Sequence, residues 1–328
     1  MGQPNVGKSV VFGALTGTYV TVSNYPGTTV EITRGRARLG DRTWEIVDTP
    51  GTHNLVPMSE DEAVTRDILV SAPHDALVQV GDAKNLIRTL LLSLQIAELG
   101  VPFCLDLNML DEARARGLSI DLEALEGELP GVRVNASTAT EGEGLDVVRA
   151  YLAGSSPPHA DGSREPLACA PRFSDDIEGA IAAVVEHLDA SQPVARRAIA
   201  TMLLAGERGV GGAIAQVARV SDEAARIAAE RAQSIARAQG VPMFALLSRQ
   251  RLVRAQAIVR RVQRKEAASD ARGHQGHVGW GASLALGAAS ALGGALVYDG
   301  ALARTHAGAA GDPLASFGFF DVVGRLFS

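Results

Sequence analysis

Over the first half of the chain, short apolar runs alternate with stretches in which apolar residues recur every three or four positions. This alternation predicts an α/β domain over residues 1–153. The expected strands are Thr29–Leu39, Thr43–Val47, Ala76–Val80, Pro102–Leu107 and Val132–Asn135. The first two read as a hairpin across Leu39-Gly40-Asp41-Arg42, and helices are predicted after Lys8, Lys84, Asp111 and Glu143. Thr18–Thr28 is polar, carries Gly and Pro, and reads as a mobile segment.

Beyond it, 154–172 is a linker rich in Gly, Ser and Pro. The pattern over 173–268 is helical almost throughout. Ile177, Ile181, Val184, Val185 and Leu188 lie on one helical face, and further helices are predicted at Val194–Leu204, Ser221–Gln239 and Met243–Arg264. Ser221 is the expected N-cap of the third, and Gly240 its stop. The tail, 269–328, contains a charge-free run from Val278 to Tyr298, long enough to cross a bilayer as one helix. Its Gly and Ala content is equally that of a low-complexity tail. If the run inserts, the flank bearing Arg254, Arg260, Arg261, Arg264, Lys265 and Arg272 stays cytoplasmic.

A hydrophobic content of 46% supports a true core, and a net charge of −6 argues against general nucleic-acid binding. Cys104 and Cys169 have neither disulfide-framework nor metal-site spacing, which suits a reducing compartment. His274 and His277 are close in sequence, but two histidines in a Gly-rich stretch are a weak metal signature.

The chemistry begins at Gly2-Gln3-Pro4-Asn5-Val6-Gly7-Lys8-Ser9, which fits the phosphate-loop pattern G-x-x-x-x-G-K-[ST]. Gly2 and Gly7 allow a tight loop whose backbone N–H groups surround phosphates. Lys8 reaches the β and γ oxygens, and Ser9 supplies a hydroxyl to Mg²⁺. Asp48-Thr49-Pro50-Gly51 follows a strand, with Asp48 placed for Mg²⁺ and the Gly51 N–H for a γ-phosphate. Asn108-Met109-Leu110-Asp111 follows another, where the Asp111 carboxylate can accept from guanine N1–H and N2. Adenine offers no such donor pair, so the selection is for GTP and GDP. Ser137-Thr138-Ala139 follows the last strand and can offer a backbone N–H to guanine O6. Between loop and aspartate, within Gly27-Thr28-Thr29, Thr29 is the best candidate to close over Mg²⁺ and γ-phosphate, with Thr28 its competitor. No strand precedes the loop in this chain. The pattern therefore predicts unpaired backbone groups beside it, weak nucleotide binding, and a natural start several residues upstream.

With these residues in hand, the chain resembles the G-domain of FeoB-type ferrous-iron transporters over about residues 2–266. The most specific parts are N-Y-P-G-T-T-V-E, D-T-P-G-T-H-N-L, G-D-A-K-N-L-I-R-T-L-L-L-S-L-Q-I-A-E-L-G-V-P, L-N-M-L-D-E-A-R-A-R-G and E-G-E-G-L. The resemblance implies a P-loop GTPase (Ras-like) domain, followed by an all-α domain that restrains GDP dissociation and links to a membrane permease. It implies location at the cytoplasmic face of a bacterial inner membrane. Other implied partners are small accessory iron-transport proteins, with homo-oligomerisation left open. It further implies stimulation by K⁺ through Asn5, which can equally be a loop-shaping residue.

The chain departs from that family at Gln3, where an Asn is usual, and in lacking the multi-span permease. Met109 stands where most small GTPases place a lysine along the nucleotide, so looser binding and rapid GDP release are expected. Thr52 occupies the place of the water-orienting Gln of Ras-like enzymes, leaving catalysis to Asn5, Lys8, Thr29, Gly51 and bound ions. A soluble GTPase of the ribosome-assembly kind is the alternative. It shares the loop and D-T-P-G, but would need an RNA-binding domain that the helical region does not suggest. A fragment stranded without hydrolytic function is the third reading.

Overall fold

A β-strand presents alternate side chains on two faces, and the central strand of a three-stranded parallel sheet here buries both. In the computed structural model, β4 (Leu77–Asp82), β5 (Phe103–Asn108) and β7 (Val132–Ala136) form a parallel sheet in the order β4-β5-β7. Every residue of β5 is buried, as a central parallel strand requires. A second, antiparallel sheet joins β1 (Val20–Asn24), β2 (Glu31–Leu39) and β3 (Arg42–Asp48), with the turn at Gly40 (φ 62°) closing the predicted hairpin. The structure describes residues 1–17, 20–71, 74–155, 164–190, 192, 194–206 and 220–265. The predicted 278–298 span, His274 and His277 lie outside them, as does part of the linker. Among the described residues no helix is long and apolar enough to cross a membrane.

The two sheets are not joined to each other by strand pairing among the described residues. Met1 and Gly2 run parallel to β4: the Met1 amine donates to Val78 O at 2.9 Å, and Val80 N–H donates to Met1 O at 2.8 Å. β3 pairs only with β2, and between it and β4 lies a cavity of about 500 Å³, lined by Trp44, Ile46, Ala76 and Val78 among others. The buried Trp44 Nε1 has no hydrogen-bond partner there among the described residues. One edge of β3 is thus without a strand partner among those residues.

Helix α3 (Leu86–Glu98) lies at the centre. Leu86, Leu90, Leu92, Leu94 and Ile96 are each at most 1% exposed, so the helix is apolar nearly all round. It packs on β4 on one side and on a long C-terminal helix on the other. Part of its polar face meets the strand: Gln79 Nε2 donates to Thr89 O (2.9 Å), and Ser93 Oγ donates to Gln79 Oε1 (2.8 Å). Gly81 is needed for this approach, because a Cβ there would lie 2.2 Å from Thr89 Cγ2.

The predicted helical region comprises α7 (Asp175–Val185), α8 (Arg196–Leu204), α9 (Asp222–Gln239) and α10 (Met243–Val262). Ser221 caps α9 by accepting from Ala224 N–H at 3.1 Å, and Gly240 ends it in the left-handed region (φ 67°), both as the sequence predicts. These helices share one apolar core with α3 and β5. Two differences from the predicted elements matter. Val20–Asn24 is a strand on β2, since its Val-Thr-Val alternation suits an edge position even with every residue exposed. Gln263–Lys265 leaves the helix to pair antiparallel with Leu118–Ile120, tying the last described residues to the α/β part.

A buried ion pair fastens the two parts. Arg251 of α10 donates from Nε and a terminal nitrogen to both oxygens of Glu98 at 2.7 and 2.8 Å, with side chains 6% and 3% exposed. The Phe173 ring lies 5.5 Å from the Arg251 guanidinium and 5.4 Å from that of Arg197, which itself pairs with Glu178. Replacing Arg251 with Met strands the Glu98 carboxylate among apolar groups. The expected loss is about 3–5 kcal/mol of unfolding free energy, read by urea denaturation. The exposed pair Arg226–Glu230 should cost under about 1 kcal/mol when broken.

Candidate functional site

Parallel strands end on one side of their sheet, and crevices at those carboxyl ends are where open α/β folds bind ligands. β4, β5 and β7 end at Asp82, Asn108 and Ala136, and the segments that follow them meet the phosphate-loop pattern on that side. Four of the sequence-predicted segments are joined by direct contacts.

The loop Gly2–Ser9 wraps the start of α1 (Lys8–Thr16), whose first free N–H groups and dipole make a positive end. Gly7 (φ 87°) and Asn5 (φ 61°) are both left-handed. Gly7 has a second reason to be glycine, since a Cβ would lie 2.2 Å from Asn108 Nδ2. Asn5 is exposed at the rim with its strained backbone fixed by the loop. Gln3 is buried and donates from Nε2 to Arg88 O of α3 at 2.8 Å, which gives the departure from the usual Asn a structural role. Lys8 Nζ donates to Gln3 O at 3.0 Å, and burial lowers its pKa, opposed by the nearby Asp48 carboxylate. Incoming phosphate charge would reverse that shift. Pro4 and Val6 contribute backbone and packing, Val6 being buried beside Val11 and Val80.

Ser9 Oγ donates to Asp48 Oδ2 at 2.9 Å, placing two hard oxygens together at the mouth of the loop. Hydroxyl and carboxylate form a donor set suited to Mg²⁺. Thr49-Pro50-Gly51 continues from Asp48. Gly51 sits so close to the phosphate loop that a Cβ would meet Pro4 Cγ at 2.8 Å. Thr52 is fully buried: its N–H donates to Gly2 O (3.0 Å) and its hydroxyl to Asn54 O (2.7 Å). Its side chain is thus engaged inside the loop. Glu62, unremarked in the sequence, closes that loop by accepting from His53 N–H (3.0 Å) and Met58 N–H (2.9 Å).

The two threonines divide their roles. Thr28 Oγ1 donates to Tyr25 O (3.1 Å) and accepts from Val30 N–H (3.2 Å), holding the turn that contains Gly27 (φ 81°). Thr29 is exposed and has no side-chain hydrogen bond among the described residues, which leaves it available to a ligand.

In the base-reading segment Asn108 and Asp111 also separate. Asn108 is buried: Nδ2 donates to Val6 O (3.0 Å), and Oδ1 accepts from Ala139 N–H (2.9 Å). It pins three loops together. Met109 is left-handed (φ 62°), Leu110 N–H donates to Ser137 O (3.2 Å), and Asp111 stands exposed at the start of α4 (Leu110–Ala115). Ser137 Oγ donates to Asp106 Oδ2 at 2.8 Å, and Asn135 Nδ2 donates to the other oxygen at 2.7 Å. Burial raises the Asp106 pKa, and these two donors offset part of the rise. The amides of Ser137, Thr138 and Ala139 donate to Leu107 O, Glu143 O and Asn108 Oδ1. A base carbonyl would share or replace the longest of these with the Thr138 N–H, at 3.2 Å.

Removing the pin should loosen all three loops. Asn108→Ala leaves Val6 O and Ala139 N–H without their partner, and the expected cost is about 1–3 kcal/mol for each buried group left unsatisfied. Thermal denaturation measures it; Asp111→Ala, at an exposed position, should leave the melting temperature nearly unchanged.

Residues 1–152 match the family profile described as ferrous iron transport protein B. The chain is 40% identical over 129 residues to the Fe(2+) transporter FeoB of Staphylococcus aureus, and 38% identical over 153 residues to that of Escherichia coli K12. Those matches cover 39% and 45% of this chain but 19% and 20% of the relatives, so the chain matches about a fifth of their length. Among solved structures, a GDP-bound point mutant of S. thermophilus NFeoB superposes with a TM-score of 0.69 at 27% identity, covering 80% of this chain and 97% of that one. The cytosolic domain of L. pneumophila FeoB gives 0.66 at 29% identity, with coverage of 80% and 97%. The T. maritima cytosolic domain in its GMPPNP form gives 0.65 at 27%, again with 80% and 97%. Loop geometry, sequence and fold agree: residues 1–152 are an FeoB-type P-loop GTPase domain, here continued by a helical region.

Proposed function

We propose that the chain binds GTP and GDP, hydrolyses GTP, and serves as the nucleotide-dependent regulatory portion of a bacterial ferrous-iron transporter at the cytoplasmic face of the cell membrane. The observation that carries this is the convergence, on one sheet edge, of the Gly2–Ser9 loop, the Ser9–Asp48 oxygen pair and the exposed Asp111 carboxylate. Relatives described as Fe(2+) transporters, and neighbours holding GDP or GMPPNP, support the reading.

In this reading the backbone N–H groups of Asn5 to Ser9 and the α1 N-terminus surround the α and β phosphates, while Lys8 leaves Gln3 O for the β and γ oxygens. Ser9 and Asp48, with Thr29 swinging in, would hold Mg²⁺, which supplies charge neutralisation of the phosphate oxygens when bound. The Gly51 N–H meets the γ-phosphate. With the Thr52 hydroxyl committed elsewhere, the attacking water is oriented by backbone groups and by Thr29. Asn5, held left-handed and exposed, offers an amide oxygen to K⁺ at the spot where its charge offsets that developing on the phosphates.

Movement of the Thr29 segment and of the Gly51 loop would pass through α3 to the helical region, and from there to the permease. One contact supports this route: Leu55 N–H donates to Gln95 Oε1 of α3 at 2.9 Å, one turn before Glu98 and its Arg251 partner. Small accessory iron-transport proteins and a second copy of the chain remain further partners in this scheme.

Turnover tests the proposal. With Mg²⁺ present, release of phosphate from GTP is expected, and it should be faster in potassium than in sodium buffer; equal rates would remove the role of Asn5. Asp111→Asn exchanges an acceptor for a donor and should weaken GTP roughly a hundredfold or more while admitting xanthosine triphosphate. Absence of any GTP binding by the unsubstituted chain would overturn the reading.

A further inference from the structure

The turn that carries Met109 has an unusual support. Met109 is one of two described non-glycine residues with positive φ, and it lies between the buried Asn108 and the exposed Asp111. No glycine eases that backbone, so neighbouring side chains must hold it. The holder comes from the adjacent strand. Lys84, in the turn Ala83–Asn85 after β4, donates from Nζ to Met109 Sδ at 3.2 Å and to Glu112 Oε2 at 2.7 Å. Its side chain is only 11% exposed, against 48% for Glu112.

Lys84 is itself fixed from behind. Asp82 Oδ1 accepts from Lys84 N–H at 2.9 Å and lies 3.9 Å from its ammonium, while Asn85 Nδ2 donates to Asp82 Oδ2 at 2.9 Å. Asp82 N–H in turn donates to Thr89 Oγ1 of α3 at 3.0 Å. A continuous set of contacts therefore runs from the buried helix through Asp82 and Lys84 to Met109 and Glu112. These last two residues flank Leu110-Asp111, so the ammonium bridges the stretch that aims the Asp111 carboxylate.

We propose that Lys84 is a positioning residue for guanine selection: it reaches across from the end of β4 to clamp the Met109 turn and fix the direction of Asp111. This rests on the guanine-nucleotide reading above and adds a determinant outside the base-reading segment. A methionine in that segment offers no charge of its own, and Lys84 brings a cation to the same turn from the neighbouring strand. The Asp111 carboxylate then meets guanine N1–H and N2 without first being ordered, which favours tight and selective binding. The clamp also acts against the rapid release that Met109 alone would suggest.

The test measures dissociation constants of GDP and ADP for the full chain carrying Lys84→Met, Lys84→Arg or Glu112→Gln. Lys84→Met keeps the apolar stem and removes the charge; Glu112→Gln leaves Lys84 in place but weakens its anchor at a half-exposed position. The GDP-over-ADP preference should fall roughly tenfold in Lys84→Met, the scale of one charged hydrogen bond. It should fall by a smaller factor in Glu112→Gln and return in Lys84→Arg, with ADP affinity unchanged because adenine does not engage Asp111. Equal weakening of GDP and ADP would mark a purely structural role and overturn the proposal, as would an unchanged preference in Lys84→Met. If the unsubstituted chain shows no preference for GDP over ADP, the guanine reading itself falls, and this inference with it.

Discussion

The burial of α3 on both faces is the constraint from which the rest follows. A helix with leucine or isoleucine at positions 86, 90, 92, 94 and 96, each at most 1% exposed, cannot lie on a surface. It needs the β4–β5–β7 sheet on one side and the helical region on the other, and the shared core is the result. Its few polar groups are then forced into specific pairings. Thr89 and Ser93 meet Gln79, Gln95 takes Leu55 N–H, and Glu98 takes Arg251. The Arg88 carbonyl holds Gln3 of the phosphate loop. The phosphate loop and the loop after Asp48 are thus each tied by a direct hydrogen bond to one helix.

This arrangement separates scaffold from ligand-facing groups within each motif. Asn108 is buried and joins loops, whereas Asp111 is exposed; Thr28 shapes its turn, whereas Thr29 is free; Thr52 serves its own loop, whereas Gly51 faces Pro4. Thr29 and Asp111 are exposed, whereas Lys8 and Ser9 would exchange a partner within the fold for one on a ligand. The binding free energy then goes less toward ordering loops and more toward the contacts themselves.

Much of this was legible in the residues, for physical reasons. Parallel strands buried on both faces leave continuous apolar runs, and the phosphate loop, D-T-P-G and N-M-L-D stand out as loop chemistry against such runs. The capping of α9 by Ser221 and Gly240 was equally plain. The helices Glu60–Ser71 and Leu122–Glu128 escaped, and so did pairing between distant segments. Val20–Asn24 looked like loop because an exposed edge strand has no buried face to set its pattern. Gln263–Lys265 looked helical because its partner, Leu118–Ile120, is remote in sequence. The Lys84–Met109 contact and the Gln95 tie were invisible for the same reason: hydrogen bonds across the fold leave no local periodicity.

Hydrogen–deuterium exchange of the chain, with and without GDP and Mg²⁺, tests most directly whether this sheet edge is a nucleotide site referred to α3. GDP should slow exchange at the amides of the Asn5–Ser9 loop and the Leu110–Asp111 turn, while α3 stays protected in both states. Unchanged exchange at both the loop and the turn under saturating GDP, or protection confined to residues elsewhere, would contradict it.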